Sequence, residues 1–436
     1  MGIRILIERA SWTLVDQGVV SFGNFALNVL LARTLGEEEY GEFALFLGSI
    51  FILRTIDYSL LSYPLSLRLA GAGEEERAKL LGNTVLLTVI LAMVLAVVMA
   101  FGTLLLEVDN IVLPACVCFL CWQAQETSRR FLLAEFKYRS AVAGDGVAYV
   151  GQAVLIGLVA WPDGVTLSAA LYMMSATFAL GAIVHASKLE FAWPSVSEAL
   201  PLAREYCSIG KWSVINYQLV LARVQLFPWM LAGLAGTAAT ASLQAGLNIA
   251  NMMNPIIFGI GNAIPQVAAH AYRTGGTIGA ARAALGYVLF GLIPILFIAA
   301  AGLLMPAWLL KTVYGPSSPY LAIAAGLQLL VIAGVFDYVA EMISKTLLGV
   351  EAGKLASLVN VAAVGTAAVL AFVLIGPLGV FGACLALLIS NFVRAIGAMM
   401  AIAWLIARER VRSPARSTSA ADAVPIEKAL SASAER

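Results

Sequence analysis

The chain has 436 residues, 61% of them hydrophobic and 12% charged, with a formal net charge of +1. A soluble domain carries roughly a quarter charged residues, so this composition excludes an ordinary soluble enzyme and points to the lipid bilayer. Near-neutral charge gives no footing for a nucleic-acid partner.

Taken from the N-terminus, MGIRILIERA has no compact apolar region followed by a small-residue cleavage site, so the first helix is expected to be retained. The apolar runs that follow, such as Leu86 to Leu106, are far longer than the roughly ten-residue strands of membrane barrels. In lipid every backbone amide must find a partner, which leaves helices. The first set is expected near 12–33, 40–62, 79–105, 110–131, 140–161 and 165–187. The second set is expected near 210–234, 238–268, 278–305, 318–345, 353–376 and 378–407. The fold class is therefore an all-α integral membrane protein of about twelve transmembrane helices. It divides into an N-terminal six-helix lobe (1–187), a cytoplasmic connection (188–209), a C-terminal six-helix lobe (210–407) and a disordered cytoplasmic tail (408–436).

Basic residues gather on the cytoplasmic side of membrane proteins. With both termini cytoplasmic and twelve spans, Arg68, Arg77, Lys79, Arg129, Arg130, Lys137, Lys188, Lys345 and Lys354 fall inside, and Arg33 and Lys311 fall outside. The halves also resemble each other. Leu31, Ala32, Gly36 and Leu47 match Leu231, Ala232, Gly236 and Leu247 without a gap. Because each half holds an even number of helices, the two lobes form a parallel pseudo-repeat, an arrangement common in transporters.

Three arginines lie deep inside spans: Arg54, Arg223 and Arg394. Each costs roughly 2.5–3.5 kcal/mol at a helix centre and must face protein or water. Asp57 stands one turn from Arg54 and can pair with it, whereas Arg223 and Arg394 need partners from other helices, water or a ligand. Asp337, Glu341 and Lys345 make one stripe at four-residue spacing. Asp57, Asp337 and Glu341 are candidate proton or cation sites, and structural ion pairs are the plain alternative. Gln17, Ser21, Asn24 and Asn28 line one face of the first helix, and Gln244, Asn248 and Asn251 one face of the eighth. Gln225 adds to the polarity of the seventh. Taken singly, each amide reads as interhelical glue. Together they suggest a wet cleft between lobes, with Arg54, Arg223, Arg394, Asn24, Asn28, Gln225, Asn248 and Asn251 as its substrate-binding residues. The five cysteines and two histidines make no metal-ligand pattern, so no metal or other cofactor is expected. No phosphate-binding glycine loop, H-E-x-x-H or nucleophile elbow is present, so no catalytic residue is assigned.

The stretch NVLLARTLGEEEYGEFALFL (Asn28 to Leu47) resembles the first hairpin of bacterial Wzx-like polysaccharide flippases, through Leu31, Ala32, Arg33, Leu35, Gly36, Tyr40, Gly41 and Phe43. These belong to the multidrug, oligosaccharidyl-lipid and polysaccharide exporter superfamily. IGPLGVFGACLALLIS (Ile375 to Ser390) and YGPSSPY (Tyr314 to Tyr320) are similar to later patches of the same family. The resemblance implies a multi-pass protein of the bacterial inner (plasma) membrane. Such a protein flips a polyprenyl-diphosphate-linked oligosaccharide by alternating access, for O-antigen, capsule or exopolysaccharide synthesis. It implies basic cavity residues, with Arg54 the best positional fit, and implies as partners membrane lipid and the polysaccharide polymerase and export proteins. The rivals are a cation-coupled multidrug exporter of the same superfamily and a membrane glycan polymerase or ligase.

Overall fold

A computed structural model describes residues 3–69, 72–105, 109–160 and 164–421. Among these, every regular element is helical. The N-terminal lobe holds α1 (Ile3–Thr34), α2 (Glu37–Leu69), α3 (Glu74–Leu105), α4 (Val112–Ala134), α5 (Tyr138–Val159) and α6 (Leu167–Ala186). The C-terminal lobe holds α7 (Val196–Ala235), α8 (237–275), α9 (277–304), α11 and α12 in the 353–421 region, and α10 (Pro319–Gly349) before them. The last two, α11 (353–378) and α12 (380–421), meet at Gly379, whose φ of 55° turns the chain where a side-chain-bearing residue would be strained. Gly276 (φ 58°) does the same between α8 and α9. The chain is an all-α membrane protein of about twelve helices, as its apolar runs require.

The repeat shows in the turns. Gly36 precedes α2 and Gly236 precedes α8, so the matched glycines stand at the same place in each lobe.

Four features differ from the sequence-based expectation. First, α7 starts at Val196 rather than 210, with Pro201 inside it, so much of the 188–209 connection is helix. Second, a short helix, Pro306–Tyr314, follows α9. It fills the turn before α10, and its nine residues are too few to span. Third, α8 is broken by a 3₁₀ turn at Asn251–Met253 and again at residues 262–263, where Asn254, Pro255, Asn262 and Pro265 interrupt the regular ladder. Fourth, α12 continues to Ala421, past the point where apolar periodicity ends. The rest of the expected disordered tail, 422–436, lies outside the described residues.

Two π-turns interrupt the N-terminal lobe, Tyr58–Ser62 in α2 and Gly146–Val150 in α5. Each directly follows a buried carboxylate, Asp57 and Asp145. Such bulges concentrate at functional sites because the wider turn re-aims nearby side chains.

Candidate functional site

Polar groups within the spans fall into three clusters, one between the lobes and one inside each. The first lies at the end of the molecule that carries the Gly36 and Gly236 turns. Gly41 of α2 faces Thr237 of α8 so closely that a Cβ at 41 would strike the Thr237 carbonyl. This approach brings the buried Tyr40 hydroxyl to α8, where it accepts from Asn248 Nδ2 at 2.7 Å. The same hydroxyl donates to Asn28 Oδ1 of α1 at 3.4 Å. Gln244 Nε2 donates to Asn248 Oδ1 (3.0 Å) and reaches Asn28 Oδ1 (3.5 Å). The Tyr314 hydroxyl accepts from Asn248 Nδ2 at 3.4 Å and donates to the Ala245 carbonyl at 2.9 Å. Arg33, at the end of α1, donates to the Val313 (2.6 Å) and Thr312 (2.9 Å) carbonyls. A guanidinium there caps the C-terminus of the short helix, where unpaired carbonyls and the helix dipole favour a cation. The lobes are thus clasped at this end by neutral amides and phenols, with one arginine on backbone carbonyls.

The second cluster knits α1, α2, α4 and α5. Arg129 is buried and holds Asp145 (Nε to Oδ2, 2.5 Å), Asp16 and, at 3.4 Å, Glu126. Glu126 also takes Arg130 (2.7 Å) and Arg54 (2.9 Å). Gln125 Nε2 donates to Asp145 Oδ1 at 2.7 Å. Buried charges survive in lipid only when matched in this way. Arg54 differs from Arg129 in having about a third of its side chain (32%) exposed. It lines a cavity of about 130 Å³ with Gln17, Asn24, Trp122, Tyr149 and Gln152, and its guanidinium lies 5.9 Å from the Trp122 ring centre. A cation beside an indole face gains from the ring quadrupole.

The third cluster joins α7, α10, α11 and α12. Arg223 of α7 reaches Asn391 Oδ1 (2.5 Å) and Asp337 Oδ1 (3.2 Å). Arg394 of α12 reaches that same Asp337 oxygen (2.8 Å), Glu341 (2.5 Å) and Asn360 (2.9 Å). Lys345 meets Glu341 at 3.4 Å. Both arginines are buried, whereas Asp337 and Glu341 are 28% and 24% exposed.

Residues 6–270 match the profile of the polysaccharide biosynthesis protein family. The chain belongs to that family. No curated protein sequence matches it. Among solved structures, the fold is similar to the inward-facing conformation of a MATE-family multidrug resistance transporter of the MOP superfamily. That structure has 17% identity and a TM-score of 0.73, over 91% of this chain and 98% of the other. An outward-facing MATE structure gives 16%, 0.61, 93% and 96%. A MOP-superfamily transporter from Pyrococcus furiosus, described as having a binding pocket of reverse polarity, gives 14%, 0.61, 92% and 94%. These likenesses establish the fold.

For this family member, the first-hairpin motif has a physical meaning. Tyr40 and Gly41 make the contact between lobes, and Phe43 packs beside Tyr40 with ring centres 6.3 Å apart. Of the expected substrate-binding residues, Arg54 and Asn24 share the N-lobe cavity. Asn28 and Asn248 are engaged with each other's neighbours in the inter-lobe clasp. Gln225 fits against Gly48 of α2, which leaves room for its amide. Asn251 is exposed at the α8 break, apart from Asn248. Arg54 was expected to pair with Asp57, yet it pairs with Glu126 on α4. Asp57 is buried with Oδ1 lacking a partner. Arg129, counted by charge asymmetry among the cytoplasmic residues, is a buried hub. The local signal for it was Glu126-x-x-Arg129-Arg130, whose spacing puts one carboxylate beside two guanidiniums on a helix face.

Proposed function

We propose that this protein flips a polyprenyl-diphosphate-linked oligosaccharide across the bacterial inner membrane by alternating movement of its two lobes. The observation that carries this reading is the placement of Arg54. It is a guanidinium within a membrane span, a third exposed, in a cavity walled by amides and aromatic rings. A diphosphate and its sugars cannot enter hydrocarbon without losing hydration worth many kcal/mol. A guanidinium replaces that hydration well, since its planar fork donates two bonds to phosphate oxygens at once. Trp122 and the amides of Gln17, Asn24 and Gln152 offer sugar-like polar groups a stacking face and hydrogen bonds. The lipid tail remains in the bilayer, and no bond is made or broken.

With both termini inside, the clasped end is the outer one. A clasp there fits a state that loads its cargo from the cytoplasmic leaflet. The multidrug-exporter reading needs carboxylates free to take a cation. Asp337 and Glu341 are instead held by Arg223, Arg394 and Lys345, which weighs against it, while Asp57, whose Oδ1 finds no partner among the described residues, is where that reading would have to place its cation.

The test is to delete the gene and identify by mass spectrometry the lipid-linked glycan that accumulates on the inner leaflet. Complementation with Arg54→Ala and Arg223→Ala is expected to abolish export while both variants still insert. Normal export by both would reject the assignment of these arginines, and no accumulating glycan would reject the flippase reading.

A further inference from the structure

The C-lobe cluster is unevenly matched. Three cations, Arg223, Arg394 and Lys345, face two carboxylates, Asp337 and Glu341, in the network they form. One oxygen, Asp337 Oδ1, serves both guanidiniums, at 3.2 Å from Arg223 and 2.8 Å from Arg394. Arg394 has Glu341 and Asn360 besides. Among the described residues, Arg223 has that shared oxygen and the neutral Asn391 amide. A buried guanidinium carries five donors and a full charge, so Arg223 is the under-satisfied member. Asp337, which holds it, is more than a quarter exposed and so open to exchange.

We infer that Asp337 is a resident counter-anion, which an entering phosphate-bearing lipid head displaces from Arg223 and Arg394. This rests on the flippase reading and adds a second anion-binding element, in the C-terminal lobe, to that of Arg54 in the N-terminal lobe. A diphosphate has enough oxygens to give each guanidinium its own acceptor, where one carboxylate oxygen now serves two. It also supplies the negative charge the cluster lacks. Asp337 then keeps the guanidiniums oriented and solvated between cargoes, which lowers the cost of holding two buried cations without a ligand.

Helix α7 would feel the exchange. Its middle leans on the other lobe, with Gln218 donating to the Ile52 carbonyl (2.9 Å) and Tyr217 edge-on to Tyr58 (5.6 Å). Arg223 is its polar tie to α10 and α12. Replacing Asp337 by a cargo phosphate loosens one of the two holds of that tie.

The test uses the full-length protein, purified in nanodiscs, and farnesyl diphosphate as a soluble polyprenyl diphosphate, with inorganic pyrophosphate in a parallel arm. Asp337→Asn keeps the shape and the Oδ1 acceptor but removes the competing charge. An internal ligand lowers apparent affinity by the fraction of time the site is occupied, so this variant is expected to bind farnesyl diphosphate about tenfold more tightly. Glu341→Gln frees Arg394 in the same way and is expected to shift affinity in the same direction by less. It serves as the readout should Asp337→Asn fail to fold. Wild-type binding with no gain in either folded carboxamide variant overturns the counter-anion role and leaves the flippase reading standing. No binding by wild type or any folded variant overturns that reading and this one together. Pyrophosphate binding as tightly as farnesyl diphosphate overturns the lipid-head assignment.

Discussion

Asn248→Ala tests whether the neutral clasp sets the balance between closed and open lobes. The Asn248 side chain bonds Tyr40 at 2.7 Å, Gln244 at 3.0 Å and Tyr314 at 3.4 Å. Of these, only the Tyr40 bond crosses between the lobes, since Gln244 and Tyr314 belong to the same lobe as Asn248. A side-chain hydrogen bond inside a membrane protein contributes about 0.6 kcal/mol on average, so its loss changes the closed-to-open ratio by about threefold. The separation of the clasped ends can be read by pulsed electron resonance between spin labels at Glu37 and Ser317. These are exposed positions at the start of α2 and in the turn before α10. The five native cysteines would first be replaced. The expected result is a longer-distance population that grows about threefold, relative to the closed one, in the variant. An unchanged distance distribution in a folded Asn248→Ala protein would show that the clasp does not hold the lobes, and the reasoning from these contacts would fail.

Tyr40→Phe loses one donor and one acceptor from the same clasp and should move the equilibrium in the same direction by about threefold, on the same label pair. Gly41→Ala drives a methyl into the Thr237 carbonyl and is expected to lower the melting temperature in detergent, since backbone cannot yield as a flexible side chain can. Arg129→Gln leaves Asp16 and Asp145 buried without their cation, and should cost about 3–5 kcal/mol, seen as a sharp drop in detergent melting or loss of folded yield. Arg54→Gln should cost far less in the same assay. Its side chain is a third exposed, and Glu126 keeps Arg129 and Arg130. Equal destabilisation by both would contradict the difference in burial.

Spans were legible because lipid imposes a length and an apolar face that the residues must display. What escaped was set by other forces. The extension of α12 beyond Val411 has no periodic apolar signal, and the Pro414 and serines within it argue against a helix. The short helix Pro306–Tyr314 is too brief to separate from a turn by hydropathy. In the site, the deep arginines stood out as isolated charges in apolar runs, but their partners did not. Spacing along one helix suggests only neighbours three or four residues away, hence Asp57 for Arg54. The actual partner, Glu126, comes from α4 through the packing of α2 against it. The same holds for Asp337, which was visible as a stripe with Glu341 and Lys345 yet binds Arg223 and Arg394 from two other helices. Asn28 and Asn248 looked like cavity residues because a polar stripe does not say whether its other side is water or a second helix.

On the proposed alternating mechanism, the chemistry of the contacts makes the boundary between lobes the place where movement costs least. Within each lobe the buried glue is ionic. Breaking one partner of such a pair leaves a bare charge in a low dielectric and costs about 3–5 kcal/mol, so helices joined this way move together. The Asp16–Arg129–Asp145 and Arg394–Asp337–Glu341 sets bind α1, α4 and α5, and α10 and α12, into such units. Between lobes the buried side-chain bonds join neutral phenols and amides, each worth about 0.6 kcal/mol and each able to find another neutral partner or water on opening. Charged side chains do cross, in the Arg68–Glu205 pair, in Arg33 on the Val313 and Thr312 carbonyls and in Glu198 taking the Asn83 amide, but Arg68, Arg33 and Glu198 are exposed, and water replaces such bonds at little cost. Buried charges inside the lobes and buried amides between them therefore make the seam the weaker join, and that seam includes Tyr40, Asn28, Gln244 and Asn248.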